Sequence, residues 1–220
     1  MNRVLASKWT KVAVFCLSLV PLPYLVWRGF TQGFTANPIE YITHYTGDWA
    51  IRFLLITLAV TPLRSILNRP QITRFRRMLG LFAFFYASLH FSIWFALDKY
   101  FSIAEMGSDI LKRPYITVGM LGFAVLIPLA ITSTNGWVRR LTWKRWQRLH
   151  RLVYVAPTAG AVHYFWLVKS DLRMPMLYAA ILAVLMMYRV FLWRRAAKPA
   201  PRKPLVDSGE AREAVTRTAK

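Results

Sequence analysis

Long apolar segments separated by short basic ones make up most of this 220-residue chain. A helix that crosses a membrane needs about 20 mostly apolar residues, and six segments meet that condition. They are residues 10–27, 49–67, 78–100, 114–133, 149–168 and 174–193. The pattern therefore predicts an all-α integral membrane protein, built as a bundle of six transmembrane helices.

The first segment has a second interpretation, because basic residues precede its apolar run as they do in a signal peptide. That run is long for a signal peptide, carries Pro21 and Pro23, and is followed by no small-x-small cleavage site. We therefore expect a retained helix.

The only cysteine in the sequence, Cys16, lies in this segment and cannot form an intrachain disulfide. We expect it to be a small buried side chain.

The basic residues indicate the orientation of the chain in the membrane. The net charge is +21 and the pI about 11.0, values typical of nucleic-acid binding when the cations share one soluble face. Here, however, 22 of the 30 Lys and Arg residues fall on one side of the six-helix arrangement and 6 on the other. The positive-inside rule assigns the basic side, with both termini, to the cytoplasm. The longer outer loops are then residues 28–48 and 98–113.

Two segments lie outside the predicted bundle. Beyond residue 195 the composition is rich in Pro, Lys and Ala. We therefore divide the chain into a membrane domain, residues 1–195, and a disordered basic cytoplasmic tail, residues 196–220. The segment WVRRLTWKRWQR, residues 137–148, is expected to be an amphipathic helix on anionic lipid, with a flavin-phosphate or partner-protein site as the alternative. No GxGxxG or GxxxxGK[ST] motif occurs, which excludes nucleotide sites of those two types.

Three of the four histidines lie in the apolar segments, where imidazole is rare and usually functional. His90 lies 13 residues beyond Arg77, and His163 lies 12 residues beyond Arg151. Both are therefore roughly 18–20 Å from the cytoplasmic side. Two imidazoles at one depth on neighbouring helices are suited to clamp a single haem iron. The alternative for this pair is an interhelical hydrogen bond.

His150 lies near the cytoplasmic face, where a second, inner haem could bind roughly 20 Å from the first. The equivalent position on the third segment is Arg77, whose guanidinium suits a haem propionate or a flavin phosphate. His150 and His163 lie about 140° apart on an ideal helix, and Pro157 between them can kink that helix. The alternative for His150 is an interfacial histidine among arginines. His44 is expected to be an exposed loop residue.

Three motifs resemble the MsrQ family, formerly YedZ. They are RRMLGLFAFFYASLHF at residues 76–91, WKRWQRLHRLVY at residues 143–154 and HYFW at residues 163–166. The family comprises haem-binding membrane subunits of bacterial periplasmic methionine sulfoxide reductase systems, within the ferric reductase-like transmembrane group. The resemblance extends to about residue 195. It implies b-type haem, with His90, His150 and His163 as iron ligands.

The same resemblance implies partners and an electron path. Family members take electrons from quinol, are also described with FMN, and pass electrons to a periplasmic molybdopterin subunit, MsrP. This sequence carries no FAD/NADPH domain like that of NADPH oxidases, so we expect electrons from quinol, bound flavin or a separate cytosolic flavin reductase. We predict a membrane cytochrome b that relays electrons across the bacterial inner membrane and supports repair of oxidised periplasmic proteins.

We assign no catalytic residues to the chain, because no nucleophile–base constellation or cysteine pair is evident in the sequence. Three alternatives stay open. One is a stand-alone ferric or quinone haem reductase. Another is a proton or solute transporter that uses its histidines as a relay. The last is a membrane scaffold without a cofactor.

Overall fold

The computed structural model describes Val4 and residues 6–196, and every regular element among them is helical. The α-helices are α1 (Lys8–Leu19), α2 (Pro21–Thr31), α3 (Pro38–Ile66), α4 (Arg76–Ile93), α5 (Ile103–Lys112), α6 (Pro114–Ile131), α7 (Asn135–His150), α8 (Val155–Leu167) and α9 (Arg173–Ala196). 3₁₀ turns at Pro70–Phe75 and Arg151–Tyr154 precede α4 and α8, and a π-helical turn, Trp94–Asp98, follows α4. The predicted tail, residues 196–220, lies outside the described residues except for Ala196.

Five segments of the described part are long and apolar enough to cross a membrane. They are Lys8–Thr31, Pro38–Ile66, Pro70–Asp98, Pro114–Ile131 and Arg173–Arg195. The prediction of an all-helical, multi-pass membrane protein is confirmed. The chain forms two compact units, Met1–Met186 and Met187–Lys220. In the second unit, the described residues 187–196 are helical.

The predicted continuous helix at residues 149–168 is wrong. The structure ends α7 at His150, inserts the 3₁₀ turn Arg151–Tyr154, and begins α8 at Val155. The break therefore precedes Pro157, which lies buried in the first turn of α8. Proline is tolerated there because the first turn of a helix has no internal acceptors for its N–H groups.

The second predicted segment begins earlier than residue 49. Asn37 caps α3 by accepting a hydrogen bond from the Glu40 N–H at 3.2 Å, and Pro38 occupies the first helical position. His44 is therefore helical and not in a loop, although it is exposed as expected. The predicted outer loop at residues 98–113 likewise contains α5, which Ser102 caps through the Glu105 N–H. In both places polar residues lowered the local hydropathy without preventing a helix.

The first predicted segment is divided into α1 and α2 at Val20, directly before Pro21. The α1 helix packs on α4, where the Tyr86 hydroxyl donates to the Ser18 carbonyl at 2.9 Å. Cys16 lies on the other side of α1 and is exposed, so the expectation that it is buried is wrong. An α-helix buries only the face toward its neighbour, and hydropathy alone did not identify that face.

Four helices, α3, α4, α6 and α8, form a ring in which each contacts the next. The α3 helix contributes more buried residues than any other helix, including Phe53, Leu54 and Leu58. Phe53 stacks on the fully buried Tyr86 of α4, with ring centroids 5.2 Å apart. Apolar packing of this kind fixes the helices that surround the cavity described below.

Candidate functional site

A cavity of about 560 Å³ lies between α3, α4, α6 and α8. Its size falls within the range of roughly 300–1,000 Å³ typical of ligand and cofactor pockets. Leu54, Phe123 and Leu126 belong to its largely apolar wall, whereas Asn37 and Arg113 mark a polar end near the start of α3 and the end of α5. A pocket with one apolar and one polar end suits a flat apolar cofactor with charged substituents at one edge.

His90 from α4 and His163 from α8 both line this cavity. Their ring centroids lie 6.1 Å apart, and the ring planes are inclined by 81°. Metal–imidazole bonds are about 2 Å long, so two rings bound to opposite sides of one metal ion have centroids about 6 Å apart. The structure therefore brings together the two histidines that the sequence placed at equal depth.

Each of these two rings is oriented by a backbone carbonyl of a neighbouring helix. His90 Nδ1 lies 2.8 Å from the Thr43 carbonyl oxygen, and His163 Nδ1 lies 2.6 Å from the Tyr115 carbonyl oxygen. A carbonyl only accepts hydrogen bonds, so Nδ1 of each neutral ring carries the proton and donates it. Each Nε2 then keeps its lone pair. Ligating histidines are oriented in this way, with one nitrogen donating and the other free for the metal.

The residues at the cavity fit haem iron better than a bare metal ion. Within the part of the chain that the structure describes, no three His, Cys, Asp or Glu side chains come together as a metal cage. Two neutral imidazoles could together hold an iron whose remaining ligands come from a macrocycle. The apolar wall matches the body of such a macrocycle, and Arg113 is the cation of the cavity lining that could pair with a propionate.

A charged group lies beside the cavity on α3. Asp48 lines the cavity and pairs with Arg52, one helical turn further along α3, at 3.7 Å. The Arg52 Nε donates to the Tyr178 hydroxyl of α9 at 2.8 Å. The sequence pattern did not point to Tyr178, because no local spacing links it to Arg52.

The structure places His150 outside this cavity. Its Nε2 lies 3.0 Å from the Thr132 hydroxyl, which itself donates to the Pro128 carbonyl at 2.6 Å. The single hydroxyl proton is thus in use, so the His150 Nε2 carries a proton and donates it to Thr132. The Trp146 ring stacks on His150 with centroids 3.9 Å apart. His150 therefore lacks the free Nε2 that His90 and His163 possess.

Arg77 also lies outside the cavity, on the exposed surface at the start of α4. Its guanidinium donates to the Asn135 side-chain oxygen at 2.9 Å. The structure does not bring Arg77 to the His90–His163 pair.

The predicted helix at residues 137–148 is interrupted at Thr142, whose φ of 62° is left-handed.

Ion pairs join residues at the polar end of the cavity. Lys99 binds Asp98 at 2.9 Å and Asp109 at 2.7 Å, and Arg113 lies 3.6 Å from Asp109. The hydrogen bonds that Lys99 donates to Asp109 and Asp98 raise the pKa of Lys99. Asp98 and Arg113 also line the cavity. The Asp109 carboxylate is thus paired with cations of the protein itself, whereas Glu105 on the same helix is exposed.

Comparison with known proteins gives consistent matches. The family model described as ferric reductase like transmembrane component matches residues 46–161. The chain is 48% identical over 189 residues to a protein of Caulobacter vibrioides, covering 86% of this chain and 90% of that relative. It is 50% identical over 191 residues to a protein of Herminiimonas arsenicoxydans, covering 86% and 88%, and 49% identical over 193 residues to one of Ralstonia nicotianae, covering 86% and 89%. All three relatives are named protein-methionine-sulfoxide reductase heme-binding subunit MsrQ.

Proposed function

This chain belongs to the MsrQ family within the ferric reductase-like transmembrane group, and from that membership we propose that it is a membrane b-type cytochrome. In this proposal the chain binds haem and relays electrons across the bacterial inner membrane to a periplasmic molybdopterin methionine sulfoxide reductase subunit. The sulfoxide chemistry belongs to that partner. This chain would thereby support the repair of oxidised periplasmic proteins.

The observation that carries the proposal is the paired arrangement of His90 and His163. Both rings donate Nδ1–H to a carbonyl, and their centroids are 6.1 Å apart across an apolar cavity. Both are interhelical hydrogen bonds, as in the alternative expected from the sequence, but each uses only Nδ1. Each ring thus keeps Nε2 for a ligand, which supports ligation in addition to the hydrogen bond.

The residues have distinct tasks in this proposal. A bound haem would supply a one-electron carrier. His90 and His163 would hold its iron through Nε2, and the carbonyls of Thr43 and Tyr115 would keep both rings in position and raise their basicity. The apolar wall would exclude water, a property that contributes to the reduction potential of haem.

Electrons would enter from quinol, as the family resemblance implies, with bound FMN and a cytosolic flavin reductase as further donors. They would leave to an MsrP-like subunit on the periplasmic side. The polar end of the cavity, with Asn37 and Arg113, belongs to the predicted outer side. The redox site would therefore lie close to the compartment of the partner.

We also propose six crossings with both termini in the cytoplasm. Five segments meet the length and hydropathy of a span, and the sixth crossing would be the 3₁₀ turn Arg151–Tyr154 followed by α8. An even number of crossings returns the chain to the basic side. The excess of Lys and Arg there supports its assignment to the cytoplasm.

The test is the haem content and spectrum of the purified protein. His90→Ala and His163→Ala are each expected to abolish the low-spin signal, because one of the two residues that would hold the iron is lost. His44→Ala is the matched control, since His44 lines the same cavity but is exposed. A low-spin spectrum that survives in both His90→Ala and His163→Ala would contradict the proposal.

The alternatives predict different results in the same preparation. A transporter that uses its histidines as a relay would contain no haem and show no Soret band. A stand-alone haem reductase would reduce ferric iron or quinone at the same rate with and without the periplasmic subunit. In the electron relay proposed here, reoxidation of the reduced haem depends on that subunit.

Binding of an inner haem by His150, with Arg77 at a propionate or a flavin phosphate, stays a prediction. The donor role of the His150 Nε2 toward Thr132 argues against that nitrogen as an iron ligand. The number of haems per polypeptide in His150→Ala tests whether His150 binds an inner haem. A loss of one of two haems would support the inner site, and unchanged content would remove it.

A further inference from the structure

Two glycines lie directly against the two histidine rings. Gly47 of α3 faces His90, and Gly119 of α6 faces His163. A Cβ atom at Gly47 would lie 2.9 Å from His90 Nδ1, and a Cβ atom at Gly119 would lie 2.7 Å from His163 Nδ1. Both distances are shorter than carbon–nitrogen contacts in proteins, so any other residue at either position would displace the ring.

The same construction occurs twice in the fold. The carbonyl that accepts from His90 belongs to Thr43, four residues before Gly47. The carbonyl that accepts from His163 belongs to Tyr115, four residues before Gly119. In both cases a histidine from one helix lies across one turn of its neighbour, over a glycine, and reaches the carbonyl of the preceding turn.

Helix geometry explains why the fourth residue must lack a side chain. Each Cα–Cβ bond of an α-helix is tilted toward the N-terminus, so a side chain covers the turn before its own Cα. The side chain at position i+4 therefore covers the carbonyl of residue i, which already accepts the N–H of residue i+4. Glycine leaves the second lone pair of that carbonyl open to a ring from another helix.

We propose that Gly47 and Gly119 are positioning residues, which set the orientation of His90 and His163 toward the haem by exposing the carbonyls of Thr43 and Tyr115. This inference rests on the proposed function, because it assumes that the two histidines ligate iron. It adds the requirement that positions 47 and 119 carry no side chain, which ligation by the histidines and the shape of the cavity do not by themselves impose. Glycine is an unfavourable residue within a helix, and these two contacts give a reason for its presence there.

The test compares three single variants of the full chain purified with haem. Gly47→Ala and Gly119→Ala add the conflicting Cβ atoms. Gly80→Ala is the matched control, because Gly80 lies on α4 with His90 and its added Cβ would meet the Thr57 methyl at an ordinary 3.6 Å. Low-temperature electron paramagnetic resonance and haem per polypeptide are measured for each.

We expect both test variants to shift the low-spin resonance or convert it to a high-spin signal, and to retain haem roughly tenfold less tightly. The change should be larger for Gly119→Ala, where the space is smaller. Gly80→Ala should match the wild type. A merely structural role of the glycines would lower the yield of folded protein but leave the resonance per bound haem unchanged.

His90→Ala and His163→Ala, measured in the same series, separate the two proposals. If they lose the low-spin resonance while Gly47→Ala and Gly119→Ala keep the wild-type resonance per haem, the role of the glycines is overturned and the ligands stand. If the histidine variants keep the resonance, the ligand assignment fails and the role of the glycines fails with it.

Discussion

Arg52 is a charged residue in the middle of α3, and side chains of two helices hold it. It pairs with Asp48 at 3.7 Å, lies 4.9 Å from the Trp49 ring centroid, and donates its Nε–H to the Tyr178 hydroxyl at 2.8 Å. A charge within a membrane is costly unless polar groups surround it. These three contacts satisfy the guanidinium within the bundle and attach α9 to α3.

Tyr178→Phe should therefore destabilise the protein without altering the cavity. The Arg52 Nε would lose its acceptor, and the expected loss is about 1 kcal/mol, as is common for interhelical hydrogen bonds. Thermal unfolding in detergent measures the change. Tyr100→Phe is the control, because Tyr100 is 77% exposed. Equal melting temperatures for the two variants would mean that the hydrogen bond to Arg52 contributes nothing.

At the scale of elements, the segment proposed as the remaining crossing, which contains α8, is shorter than each of the five candidate spans. Its 13 helical residues extend about 20 Å, and the four residues of the 3₁₀ turn add about 8 Å. Together they approach the hydrocarbon thickness of about 30 Å. In the proposed arrangement the turn would serve as the cytoplasmic part of the span.

Cysteine accessibility tests this crossing, because the sequence contains only Cys16, which can first be replaced by serine. Leu152→Cys and Trp166→Cys place one exposed thiol at each end of the segment. An impermeant maleimide should label position 152 from the cytoplasmic side and position 166 from the periplasmic side. Phe101→Cys is the periplasmic control. Labelling of both ends from one side would show a re-entrant segment and exclude six crossings.

At the scale of the whole molecule, the ring of α3, α4, α6 and α8 leaves its polar end beside α5. The ion pairs of Lys99 with Asp98 and Asp109 join α5 to the end of the third crossing. Glu105 and Asp109 are both acidic residues of α5, in the loop predicted to face outward. The structure separates them, because Asp109 is paired with Lys99 and Glu105 is exposed.

Glu105→Gln should slow electron transfer to the periplasmic subunit severalfold at low salt while leaving haem content unchanged, since exposed charges act mainly on association rates. Stopped-flow reoxidation of the reduced haem by that subunit measures the effect. Asp171→Asn is the control, an exposed acid on the same predicted side that does not line the cavity. A rate insensitive to both Glu105→Gln and ionic strength would rule out electrostatic docking at α5.

Several parts of this protein were predictable from the order of its residues. Hydropathy sums over local composition, so the apolar segments and the all-helical class follow from the sequence without any tertiary contact. The rise per residue is constant in a helix, so the equal depth of His90 and His163 also follows. Their 6.1 Å separation agrees with that depth. The predicted helix boundaries were wrong near Pro38 and His150, because a helix cap and a 3₁₀ turn set the actual boundaries there and hydropathy does not detect them.

By itself, then, the sequence determined the class of the protein, the apolar segments and the two histidines that meet. Only the tertiary structure decided which face of each helix is buried, and so the exposure of Cys16 and the binding of His150 to Thr132. It also decided that His90 and His163 keep Nε2 free, because the Nδ1 of each ring donates its proton to a backbone carbonyl. A carbonyl is present in every residue, so no sequence pattern distinguishes one. Its availability depends on which helix lies across it and on the absence of a side chain there.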